Sequence, residues 1–229
     1  MPLFMLNSKI DFPPAELAGK DGILAVGGDL SPRRLLRAYG RGIFPWYANE
    51  ELILWWSPDP RFVIFPAEIH VPRSSKKILN KKVFQLTFDR AFAEVIDGCS
   101  LPRPDQDGTW ITDEMRQAYI RLHVLGYAHS LEAWQDGKLA GGLYGIALGR
   151  CFFAESMFHF ESNASKVVLF ALARVLKKLG FILIDCQVYS PHLPAWGARP
   201  ILRRRYLELL NKGLSHSTFR GNWGEILAT

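Results

Sequence analysis

Residues 131–148 read LEAWQDGKLAGGLYGIAL. Asp136-Gly137 is a pair that tolerates positive φ at both centre positions of a two-residue turn, and strand-like segments flank it, so the stretch predicts an antiparallel hairpin. CFFAESMF (151–158) continues as a further strand. SKVVLFALARVLKKL (165–179) has helical character, with Lys177 and Lys178 in its last turn and Gly180 to stop it. FILIDCQVY (181–189) then reads as a buried strand. Upstream, Thr112 with Asp113 and Glu114 opens a helix that Gly126 ends. The order helix, hairpin, strand, helix, strand predicts mixed α/β layers.

Working outward, the first sixty residues are rich in Gly, Pro and Trp and poor in periodicity. Ser31-Pro32 caps a short helix, SPRRLLRAYG, that Gly40 terminates. Pro58, Pro60, Pro66 and Pro72 punctuate a boundary. The expectation is an α+β chain with a small N-terminal domain (1–62) ahead of a larger domain (63–229).

An apolar fraction of 48% over 229 residues suffices for a buried core. The longest apolar runs, Leu139–Leu148 and Val167–Ala173, fall short of the roughly 18 residues of a membrane span. The start, MPLFMLNSKIDFPP, lacks the pattern of a secretory signal, so a soluble, cytoplasmic protein is expected. Cys99, Cys151 and Cys186 form no CxxC pair and read as inert buried thiols. His70, His123, His129, His159, His192 and His216 show neither HxxxH nor HExxH spacing, so no metal and no cofactor are expected.

The net charge of +6 is concentrated in three clusters: Arg33, Arg34, Arg37 and Arg41; Arg73, Lys76, Lys77, Lys81 and Lys82; Arg199, Arg203, Arg204 and Arg205. Each is either a solvated helix face or a nucleic-acid contact. Two glycine loops test for phosphate. GGDLSPRR (27–34) lacks the Lys-Ser or Lys-Thr of a P-loop. RAYGRG (37–42) fits the RxxGxG pattern that holds coenzyme A, but it closes a helix instead of opening one. Between the strand ending at Phe158 and the following helix, where such a loop belongs, stands HFESNASK, which disfavours an acyl-CoA donor.

Glu155 and Asp185 lie on apolar strand-like segments, where an unpaired charge costs several kcal/mol. An internal salt bridge to an arginine or a functional role would offset that cost. Cys186 with His192 is a conceivable nucleophile pair, but strand alternation turns Cys186 away from Asp185 and Gln187.

The segments GGDLSPRRLLRAYGRGIFPWY (27–47), WWSPDPRFV (55–63), GTWIT (108–112), AHSLEAW (128–134), GGLYG (141–145), ESMF (155–158), NASK (163–166) and IDCQ (184–187) together resemble the bacterial leucyl/phenylalanyl-tRNA–protein transferases, in that family's order. The resemblance implies transfer of Leu or Phe from aminoacyl-tRNA to an N-terminal Arg or Lys, which marks the acceptor for degradation. It implies a GNAT-like fold for the larger domain, with aminoacyl-tRNA replacing acyl-CoA. Glu155, Asp185 and Gln187 match the positions regarded as catalytic in the family. A neutral amide is a poor base, so the expected arrangement has Asp185 fixing Gln187, the Gln187 amide oxygen orienting the amine, and Glu155 receiving the acceptor's cation. Trp46 and Trp110 match platforms for the terminal adenosine. Leu143, Phe152, Leu169 and Leu172, with Ser156, are expected to line the aminoacyl pocket. At Leu143 and Leu172 the family's pattern has Met and an aromatic. Arg73, Lys76, Lys77, Lys81 and Lys82 are expected to meet the tRNA acceptor stem. A monomer is the default. The competing readings are an acyl-CoA N-acyltransferase of the same fold and a non-catalytic RNA-binding module.

Overall fold

The computed structural model describes residues 3–47, 52–69, 71, 73–102 and 109–227. His70, Pro72 and Gly108 lie outside the described residues, as does the side chain of Arg73. The order is β1 (Phe4–Leu6), β2 (Ile23–Gly27), α1 (Pro32–Tyr39), β3 (Phe44–Pro45), β4 (Leu54–Trp56), β5 (Arg61–Ile64), α2 (Arg73–Lys81), β6 (Gln85–Phe88), α3 (Phe92–Ser100), α4 (Asp113–Val124), β7 (Ala128–Gln135), β8 (Lys138–Leu148), β9 (Cys151–His159), α5 (Ala164–Lys178), β10 (Leu183–Gln187), β11 (Arg199–Ile201), α6 (Arg203–Leu214) and α7 (Trp223–Ile226).

These strands make a four-stranded sheet, β1-β2-β4-β3, and a seven-stranded mixed sheet, β11-β5-β10-β9-β8-β7-β6. The strands of the two sheets part between Trp56 and Arg61. The β7–β8 hairpin turns at Asp136 (φ 50°) and Gly137 (φ 74°), the two positive values that its tight turn requires. Neighbouring β9 and β10 run parallel, with Asp185 opposite Phe153, and α5 makes the crossover between them. The Ser31 hydroxyl accepts from Arg34 N and the Thr112 hydroxyl from Met115 N, so both expected caps form.

Alternation along the central strands sends side chains to two cores. Tyr144, Phe153 and Leu183 pack with α3, α4, the α6 residues Tyr206 and Leu210, and the small sheet. Leu143, Phe152 and Ile184 pack with α5 and Trp223 of α7. The small sheet and one face of the large sheet therefore share a core, which brings β3 and α1 to the end of β9 and β10. No helix among the described residues is long and apolar enough to cross a membrane.

Candidate active site

The parallel register of β9 and β10 carries Glu155, midway along β9, beside Gln187, the last residue of β10. Gln187 Nε2 donates to Glu155 Oε1 at 2.9 Å. Gln187 has φ 63°, a left-handed conformation costly for a side chain with a Cβ, at the point where pairing with β5 shifts register. Asp185 holds it there: Oδ1 accepts the Gln187 backbone N–H at 2.9 Å.

Asp185 does not reach the cavity. Arg61 Nε donates to Asp185 Oδ1 at 2.8 Å and Arg61 Nη2 to Oδ2 at 2.7 Å, while the Tyr206 hydroxyl donates to Oδ2 at 2.7 Å. Both charged side chains are buried, at 1% and 0% exposure. The Arg61 guanidinium lies between the rings of Phe44 and Tyr206, at 4.6 and 4.7 Å from their centroids. The salt bridge weighed from the sequence is thus formed by Asp185. Glu155 is instead held by hydroxyls: Tyr39 donates to Oε1 at 2.8 Å and Tyr119 to Oε2 at 2.9 Å. Burial pushes its carboxyl up to about 7, against the lowering effect of the two tyrosine hydrogen bonds; the nearby Asp185 raises it further and Arg61 lowers it. Tyr39, Tyr119 and Gln187 all bond its two oxygens, so Glu155 keeps little capacity for the acceptor's cation that it was expected to receive.

A cavity of about 500 Å³ opens beside this pair. Its walls are Phe44 and Pro45 of β3, Trp46 just after it, Trp110 before α4, Leu143 of β8, Ala154 to Met157 of β9, Leu169 of α5, and the segment from Cys186 to Leu193 with Trp196. Trp46, Trp110, Leu143, Ser156 and Leu169 are therefore brought to one site with Glu155 and Gln187. Phe152 and Leu172 are not: at 0% and 1% exposure they pack in the α5-side core, because Phe152 alternates out of phase with Glu155 along β9 and Leu172 lies on the inner face of its helix. Cys186 borders the cavity, but burial raises its thiol above the ordinary range, which leaves no thiolate for the Cys186–His192 alternative.

The basic clusters separate by partnership. In the first, Arg33 is exposed, while Arg34 bonds the Asn7 and Lys9 carbonyls, Arg37 meets Asp11, and Arg41 donates to Phe12 O. Arg199 pairs with Glu68, Arg203 bonds the Ser57 carbonyl, and Arg204 and Arg205 pair with Glu208. By contrast, Lys76, Lys77, Lys81 and Lys82 are exposed, and no ion pair forms on them among the described residues. Helix α2 packs on α5, and neither helix contains an acidic residue.

Tyr39, Tyr119, Arg61 and Tyr206 went unread in the sequence as site residues. An arginine in the apolar strand RFVI was the available signal for one of them. The tyrosines, flanked by core residues, gave none.

The site thus sets an oriented amide and a carboxyl in the wall of one cavity with two tryptophans. The family model for the leucyl/phenylalanyl-tRNA protein transferase matches residues 63–211, and that for its N-terminal domain matches residues 28–59. Leucyl/phenylalanyl-tRNA–protein transferases of Syntrophus aciditrophicus and Myxococcus xanthus are 59% and 51% identical, over 97% and 98% of this chain and 94% and 97% of theirs. A solved aminoglycoside acetyltransferase from an uncultured soil metagenomic sample aligns at TM-score 0.36 and 12% identity, over 47% of this chain and 79% of its own. The chain belongs to the leucyl/phenylalanyl-tRNA protein transferase family and is an aminoacyltransferase.

Proposed function

We propose that the chain transfers Leu or Phe, and Met less well, from aminoacyl-tRNA to proteins with an N-terminal Arg or Lys by direct aminolysis of the ester, marking them for degradation. The observation that carries this reading is the Gln187 amide. Its N–H is engaged by Glu155 and its strand is pinned by Asp185, which leaves the amide oxygen as a fixed acceptor at the cavity wall. An α-amine has a reference pKa near 7.7–8.0, so an appreciable share is neutral near pH 7 and alignment can supply much of the acceleration, up to roughly 7–11 kcal/mol.

In this reading Asp185 is a positioning residue and Gln187 orients the amine. Trp46 and Trp110 stack the terminal adenosine, while Leu143, Leu169 and Met157 receive the aminoacyl side chain. Residues 1–62 supply the donor-side wall and 63–229 the transfer machinery, in a cytoplasmic monomer. The α2 lysines, with Arg174 and Lys178 of the neighbouring acid-free α5, suit the phosphates of the acceptor stem.

The test is transfer of labelled Leu from Leu-tRNA to a peptide beginning with Arg, beside the same peptide with its α-amine acetylated. Labelling of the free peptide alone is expected. No labelling of either, or binding of coenzyme A with acyl transfer from it, would overturn the reading.

A further inference from the structure

The hydroxyls of Tyr39 and Tyr119 lie 2.5 Å apart, and each also contacts one oxygen of Glu155, at 2.8 and 2.9 Å. The three groups close a ring with three oxygen-to-oxygen contacts. Each contact needs one hydrogen, and each tyrosine brings one. With an ionised Glu155, two hydrogens serve three contacts, and one pair of buried oxygens faces lone pair to lone pair. A proton on Glu155 completes the ring: Oε2–H donates to Tyr119, Tyr119 to Tyr39, and Tyr39 to Oε1. The Gln187 N–H still finds a lone pair on Oε1.

We propose that the closed ring, in a buried pocket where a bare carboxylate is costly, keeps Glu155 protonated in the resting enzyme, which makes it the proton donor to the departing ribose oxygen. The chemical step rests on the transfer reading above. The C–N bond forms as the ester C–O bond breaks; Glu155 gives its proton to the leaving oxygen and recovers one from the attacking nitrogen, so the ring is restored and no external acid is consumed. Glu155 is then a catalytic residue, and the two tyrosines are positioning residues.

The charged and titratable groups around the ring are few. From β10 comes Asp185, with Arg61 of β5 bonded to it, and from β8 comes Tyr144, whose ring meets that of Tyr119 edge-on at 5.5 Å. The Asp185–Arg61 pair largely cancels. Burial holds Tyr39, Tyr119 and Tyr144 well above the ordinary tyrosine value, so none of the three supplies a competing anion.

Two measurements on the full chain without substrate test the ring. Glutamine at position 155 reproduces the protonated pattern, an N–H donor and a carbonyl acceptor, at every pH. Infrared difference spectra between the wild type and Glu155→Gln at about pH 6 should show the carbonyl stretch of one protonated carboxyl, bleached toward about pH 8.5. For a carboxyl raised from its ordinary 4.5 to about 7, the stabilisation is full below the former value and is lost as pH rises through the latter, so the wild-type Tm should fall relative to Glu155→Gln between about pH 4.5 and 7. With substrates, Glu155→Gln should lower kcat by about 10²-fold or more, with KM for the tRNA donor within a few-fold. Tyr39→Phe and Tyr119→Phe should each displace the pH dependence of kcat, which a merely structural tyrosine would leave in place. An absent carboxyl band, or parallel Tm curves for the two proteins across the window, overturns the ring whatever the transfer assay reports. Failure of the transfer assay with the band present overturns the reaction and leaves the ring standing.

Discussion

Gln187 occupies a backbone conformation that no glutamine adopts without support, and its supports are particular. Asp185 Oδ1 takes its N–H, and Arg61 and Tyr206 take Asp185. Truncating Gln187→Ala should therefore lower kcat by about 10²-fold through lost alignment, with the KM for tRNA nearly unchanged, as steady-state kinetics would show. Removing Arg61 strands a buried carboxylate. Arg61→Met should cost roughly 3–5 kcal/mol in chemical denaturation, whereas an isolated surface pair such as Arg37–Asp11 should cost under about 1 kcal/mol. At this scale the sequence was legible in part. Two acids in apolar strands demanded partners, yet which acid would meet an arginine depended on a contact spanning 124 residues, which no local pattern encodes. Nothing in the spacing of Tyr39 or Tyr119 distinguishes a working hydroxyl from an ordinary core ring.

Elements with caps and turns were the readable ones. Ser31, Thr112 and Asp136-Gly137 act through neighbours a few residues away, and α1, α4 and the β7–β8 hairpin follow from them. β1, β3 and β4 are two or three residues long, too short to show a period, and exist because partner strands supply their hydrogen bonds. The AHSLEAW segment belongs to this scale also. Asp89, just past β6, accepts from His129 Nδ1 at 2.9 Å, Ser130 N at 2.8 Å and Trp223 N at 2.7 Å, and the His129 ring stacks on Trp223 at 4.1 Å. These bonds staple the C-terminal helix α7 to the edge of the large sheet. Asp89→Ala leaves buried donors without acceptors, each worth about 1–3 kcal/mol. The expected result is a clear drop in Tm, with amide exchange around Trp223 accelerating more than that in β8 and β9. Equal acceleration everywhere would contradict a local staple.

For the molecule as a whole, the proposed hold on the donor is a question of charge. With Arg34, Arg37, Arg199 and Arg203 to Arg205 engaged within the chain, the exposed lysines of α2 are the proposed phosphate contacts. The double variant Lys76→Glu/Lys77→Glu should weaken tRNA binding and flatten its dependence on log salt by about one to two units of slope, one for each phosphate that is no longer neutralised. The double variant Lys9→Glu/Lys20→Glu, on the small-sheet side, carries an equal change of charge and should leave the slope as it is. A common response to both would trace the attraction to net charge alone. The layered α+β architecture and the order of motifs were legible from one end of the chain to the other. The shared core was not, because it depends on which faces meet after folding.

The stacking of Arg61 between Phe44 and Tyr206 has a practical consequence. Phe44 comes from the small sheet, as Trp46 does, and α1 beside it contributes Tyr39. A version of the protein trimmed to begin near residue 61 would expose one flat side of the guanidinium to water, open the tyrosine circuit and strip Trp46 from the cavity wall in a single cut. Anyone transplanting the larger half as a minimal catalyst must bring its smaller neighbour along.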